Sequence, residues 1–260
     1  MPENNLANSD GVAHCPAPDG VGRCACYAFG PNKLHLCGPD ANKEVFAYLK
    51  EGASDQGLEN ILQGFQTLYP YLRQIAQANK IKDPFDDRVV EAYWLGNQLL
   101  EQVTTKVFYK HLAEGLHLKD RYNSKSFDQL ADKLPQGARM HHSFHVFNAY
   151  KRTGHDAKFH DLDSMDACRV SWGKVMKIDG PKIIVKRKPL LLEGHKLYLG
   201  NQADHTIMRK LEDDGTMDEL KEGEYISLHW GVPCEVIGKE NIKWLEYYTE
   251  KHIVLANQTL

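Results

Sequence analysis

"MDACRVSWGKVMKIDG", residues 165–180, is where the chain changes its period. Upstream, apolar residues recur at three- and four-residue spacing. From here on they alternate in short runs separated by Gly, Pro, Asp and Asn. "RVSWGKVMKI", "KIIVKR", "KLYLG", "HTIMRKL", "EYISLHW" and "PCEVIG" read as six short strands, enough for a small antiparallel barrel. "KENIKWLEYYTEKH" then presents Ile242, Leu245 and Tyr248 on one side of a closing helix. The stretch also puts a thiol, Cys168, at the mouth of the first strand.

Working back toward the N-terminus, Asp40 is placed to cap "ANKEVFAYLK" and Gly52 to stop it. Leu58, Ile61, Leu62, Phe65, Leu68, Leu72 and Ile75 form an amphipathic stripe, and Pro70 predicts a kink or two abutting helices. A second stripe runs through Val89, Ala92, Leu95, Leu99, Val103 and Val107, with Pro84 at its start. Shorter helices are predicted near 126–133 and 139–151. The expected fold is α+β. A Cys-containing segment (1–39) and a helical domain (40–160) precede an OB-like β-barrel with a C-terminal helix (166–260).

The chain has 260 residues, a formal net charge of -3, and 26% charged against 42% hydrophobic residues, a globular balance. No basic run is long enough for a nucleic-acid groove. No apolar run approaches the roughly 18 residues of a spanning helix, so no membrane insertion is expected. "MPENNLANSDG" has neither a basic nor an apolar leader region, and the expected location is cytoplasmic. The six cysteines are accordingly expected as thiols or metal ligands.

Cys168 and His229 stand near the start of the first strand and the end of the fifth. Antiparallel neighbours in a small closed sheet can bring such ends together, although the sequence alone does not fix the pairing. A thiolate with a neutral imidazole suits iron, copper or zinc and leaves coordination positions open. A buried cysteine in a strand and a packed histidine are the plainer alternative. Cys168, Gly173, Lys174 and Val175, followed by Gly223, Glu224, Tyr225, Ile226, Leu228, His229 and Gly231, resemble the two signature segments of the HypC/HupF hydrogenase-assembly chaperones. "KENIKWLEYY" occupies that family's helix position. The resemblance covers 166–260. It implies a metallocentre-assembly factor, more a maturation chaperone than a catalyst. Cys168 and His229 would hold an iron carrying cyanide and carbonyl ligands, passed between an assembly scaffold and a hydrogenase large subunit. Trp172 and Lys174 are the expected partner contacts. In this chain the cysteine is internal, Trp172 replaces the family's proline, and the insert between the motifs is longer.

The N-terminal part resembles no family by its motifs. Cys15, Cys24, Cys26 and Cys37 follow no standard zinc or ferredoxin spacing, although Gly and Pro turns between them would permit a loop wrapped on a metal. In "RMHHSFHVFNAY" a helix would put His141 and His145 at i, i+4 and His142 and His145 at i, i+3. With Glu91 or Cys37 these form a second candidate metal site, and a metal-dependent enzyme in the same pathway is the alternative function. A pure interaction module is the third.

Overall fold

The computed structural model describes residues 19–149, 161–210 and 217–260. Its first element opens at Asp19, whose carboxylate accepts the Gly22 N–H and caps α1 (Gly20–Lys33). Residues 20–33 of the expected Gly/Pro loop are therefore helical. Among the described cysteines Cys24, Cys37, Cys168 and Cys234 stand outside disulfides. Cys26 is disulfide-bonded, so the expectation of thiols or metal ligands fails at that position. Cys15 lies outside the described residues.

Gly52 ends α2 (Asn42–Glu51) in the left-handed conformation, as expected, whereas the N-cap is Ala41 and Asp40 does not cap. The first long stripe divides into α3 (Gln56–Gln63) and α4 (Leu68–Ala78). Pro70 sits in the first turn of α4, where its missing N–H costs nothing. The second stripe breaks harder. It becomes α5 (Asp87–Trp94), a 3-10 turn (Gln98–Gln102), α6 (Thr105–Lys110) and a π-helical turn (His111–Gly115). Gly96 at φ +95° and Asn97, which caps the 3-10 turn, make the break. Then come α7 (Leu118–Arg121), α8 (Ser124–Ala131) and α9 (His142–Asn148).

Cys168 is the last residue of a short helix, α10 (Leu162–Cys168), and not of a strand; Asp161 caps that helix through the Ser164 N–H. The strands are β1 (Ser171–Asp179), β2 (Lys182–Arg187), β3 (Leu190–Glu193), β4 (Lys196–Leu199), β5 (Ala203–Met208), β6 (Tyr225–His229) and β7 (Val232–Val236). All expected strands are present, β3 is additional, and α11 (Lys239–Ala256) closes the chain. β3 and β4 form a separate hairpin. The others make an antiparallel sheet in the order β5-β2-β1-β6-β7, curved around Val175, Ile183, Val185, Ile226 and Leu228. Among the described residues no ladder joins β5 to β7, although these edges come into contact.

The largest buried cluster crosses from the helices to the sheet. Tyr27, Leu72, Tyr93 and Phe144 belong to the same buried cluster as Val170, Cys234, Ile237 and Tyr248. A polar seam crosses the same boundary. Tyr27 Oη donates to Glu235 Oε1 at 2.5 Å and lies 2.9 Å from Ser227 Oγ. Arg23 pairs with Glu235, Asp87 and Glu91. No helix among the described residues is long and apolar enough to cross a membrane.

Candidate metal centre

Antiparallel pairing sets up the site. Ser171 of β1 is opposite Leu228 of β6, so the residues before β1 run alongside the end of β6. The Trp230 N–H donates to the Ala167 carbonyl at 2.7 Å and staples the two segments. Below them, Asp166 accepts from Arg169 and Arg187 and from the Leu190 N–H, which anchors the end of α10. From the opposite side α9 delivers His142, whose Nε2–H donates to the Cys168 carbonyl at 2.8 Å. The ligand atoms of His142, Cys168 and His229 all lie within 4.8 Å of one another. In a tetrahedral site with ~2.0–2.3 Å bonds such atoms sit ~3.5 Å apart. A contraction of about 1 Å would close the three on one ion.

Each ring is oriented by its other nitrogen. His229 Nδ1–H donates to the Tyr27 carbonyl at 2.6 Å, which leaves Nε2 as the lone-pair nitrogen. That buried atom has no hydrogen-bond partner among the described residues. The contact requires α1 to lie against the β6–β7 turn, and Gly30 permits it. A Cβ there would stand 2.6 Å from the His229 carbonyl oxygen. Tyr93 Oη is 3.1 Å from His142 Nδ1. When Nδ1 carries the proton and donates to Tyr93, His142 Nε2, 3.9 Å from Cys168 Sγ, is released as a ligand. The Trp94 ring packs at 4.5 Å from that of His142 and 5.2 Å from that of His229.

Burial holds both imidazoles neutral. It pushes His229 down to about 4, against the opposing pull of the Tyr27 carbonyl. It pushes His142 well below the ordinary histidine value, with the neighbouring His229 acting in the same direction. Neutral rings with a fixed lone pair fit a metal ion, and an orphaned Nε2 is the atom such an ion would satisfy. Two imidazoles and a thiolate favour iron, copper or zinc over hard cations and leave at least one position open.

The two sites expected separately from the sequence thus converge. Cys168 and His229 meet, and His142 joins them from the helical side. His145 and Cys37 line the cavity of about 50 Å³ that adjoins the triad. His141 does not share their face. As N-cap of α9 it has extended dihedrals (φ -107°, ψ 148°) outside the helical period, and its ring turns toward Ser143 and stacks on Tyr248. Glu91 is committed to Arg23, Asn97 and Asn241 and lies outside the triad. Cys24 is buried in α1. Trp172 is half-buried against the main core, while Lys174, on the same side of β1, is exposed. Sequence reasoning missed the Tyr27 carbonyl, which no side-chain pattern signals. It also missed Tyr93 and Trp94, although this aromatic pair just beyond Glu91 was the available cue.

No curated protein and no solved structure matches the chain. Residues 16–260 match the family described as "Family of unknown function (DUF6390)", a span that covers the triad, the cavity and both halves of the shared core, and the chain belongs to that family.

Proposed function

We propose that the protein is a metallocentre-assembly factor, of the kind that serves nickel–iron hydrogenase maturation, and that it binds or transfers an iron fragment at Cys168, His229 and His142. The observation that carries this reading is the convergence of one thiol and two neutral imidazoles within 4.8 Å. A thiolate retains a soft, low-valent iron that a hydroxyl would not. The order of the two HypC-like segments and the closing helix supports iron with cyanide and carbonyl ligands as the cargo. The contact between β5 and β7 supports an OB-like, partly open barrel as the carrier. The outward face of β1, with Lys174, the half-buried Trp172 and the exposed Tyr225 opposite Lys174, offers a docking surface for an assembly scaffold or a hydrogenase large subunit. The location proposed is the cytoplasm.

Anaerobic purification of the full chain with its co-purified partners, followed by metal analysis and infrared spectroscopy in the cyanide and carbonyl region, tests the reading. Stoichiometric iron with bands in that region is expected. Cys168→Ala should lose the iron, the bands and partner capture while unfolding at an unchanged temperature. Full metal content and full partner capture in that variant would overturn the proposal.

A further inference from the structure

The cavity beside the triad carries features that the three ligands do not use. Its volume of about 50 Å³ compares with ~10–15 Å³ for one water on the same measure, room for a ligand of about three to five small atoms. Ala28, Leu36, Phe65 and Leu68 make its walls, and no Asp, Glu, Lys or Arg among the described residues lines it. One hydroxyl does. Thr67 is 5% exposed, and its Oγ1 has no hydrogen-bond partner among the described residues. Thr67 is the N-cap of α4, where a threonine ordinarily accepts a first-turn N–H, yet its side chain makes no capping bond. The first turn of α4 also lacks an acidic residue. At the start of α4 the Tyr69 N–H is taken by the Phe65 carbonyl and Pro70 has no N–H, so the idle Thr67 hydroxyl is the donor this end of the helix offers the cavity.

The charge of the loaded site points the same way. A divalent ion that brings no ligands of its own carries, with one thiolate and two neutral imidazoles, a net single positive charge. No lining side chain balances it, and an unbalanced charge in an apolar cavity is costly. A monoanion at the open coordination position brings the sum to zero.

We propose that this cavity is a binding site for a small monoanion of two or three heavy atoms. One end takes the open position on the metal. The other accepts a hydrogen bond from Thr67 Oγ1 at the N-terminus of α4. The proposal rests on the metal reading above but not on iron or on any client. It makes Thr67 the residue that sets which co-ligand the metal accepts.

The test uses full-length protein loaded with cobalt(II), titrated with azide and followed by visible absorption. Azide should shift the cobalt bands saturably, and benzoate, too large for the cavity, should not. Thr67→Val should weaken azide about tenfold, the loss of roughly one hydrogen bond to a charged group. Thr67→Ser should restore it, and cobalt affinity should be the same in all three proteins. Cobalt that binds without responding to azide, or equal azide affinity in Thr67→Val, would overturn the anion site alone. Cobalt that fails to bind, or that binds equally to Cys168→Ala, would overturn the metal reading and this site with it.

Discussion

His142 is the residue on which the centre turns, because its two nitrogens have competing commitments. Nε2 bonds the Cys168 carbonyl, and Nδ1 faces the Tyr93 hydroxyl. A ligating imidazole must place its proton on the far nitrogen, and a fixed acceptor there usually contributes 10–100-fold to metal affinity. Tyr93 is that acceptor. Tyr93→Phe keeps the ring that packs on Tyr71 and Trp94 but removes the oxygen. Metal affinity measured by competition with a chelator should fall about tenfold, with stability changed by about 1 kcal/mol or less. Unchanged affinity would mean that His142 stays bonded to the Cys168 carbonyl and that the ion is held by Cys168 and His229 alone.

At the scale of elements, α1 decides whether His229 is preorganised. Its glycines are packing glycines: a Cβ at Gly20 would overlap the Phe85 carbonyl, and one at Gly30 would press on the His229 carbonyl. Gly30→Ala must push α1 away from the β6–β7 turn and lengthen the 2.6 Å bond from His229 Nδ1 to Tyr27. Overpacking of this kind costs about 1–3 kcal/mol. The variant should unfold at a lower temperature and bind metal more weakly; a full-affinity Gly30→Ala would show that the Tyr27 carbonyl does not orient the ring. The same glycines explain why α1 was illegible. "GVGRCACYAFGPNK" carries the residues of turns, and only the surfaces it packs against reveal that they serve close approach. Period and caps made α2, α3, α4, α8 and α11 legible. The breaks after Trp94 and the π-turn at His111 obey no periodic signal. The approach of Cys168 to His229 was suggested by the two resembling segments and requires the β1–β6 pairing that the fold supplies, whereas the arrival of His142 depended on how α9 packs across the core.

For the whole molecule, the consequence of a core that crosses from helices to sheet is that many histidines are buried in it. Burial pushes His111 and His141 down to about 3 and His229 to about 4, and pushes His142 and His252 well below the ordinary value. A histidine whose folded value lies below its unfolded value of ~6.5 takes up its proton first in the unfolded chain. Stability is then complete above about pH 6.5 and is lost as pH falls from there toward the folded values. Each such ring contributes about 1.4 kcal/mol per pH unit in that window. Several acting together exhaust the 5–15 kcal/mol of a typical domain within one to two units. The carboxylates held low by their partners, Glu101 by Arg139 and Asp86 by Arg88, lose their stabilisation only below about pH 4, so they do not set this window. Urea unfolding of the metal-free protein should therefore show a midpoint that is level between pH 8 and 7 and drops steeply toward pH 5. His111 isolates one share of the slope. It packs edge-on against Tyr71 at 4.3 Å, and neither of its ring nitrogens has a hydrogen-bond partner among the described residues. His111→Phe should raise stability at pH 7.5 by about 1 kcal/mol, because no polar nitrogen is left buried. It should also reduce the acid slope by about 1.4 kcal/mol per pH unit without changing metal affinity. A midpoint that stays level to pH 5 in the parent protein would mean that these rings are already protonated, or already partnered, in the folded state, and that their neutrality is not what ties the core to pH.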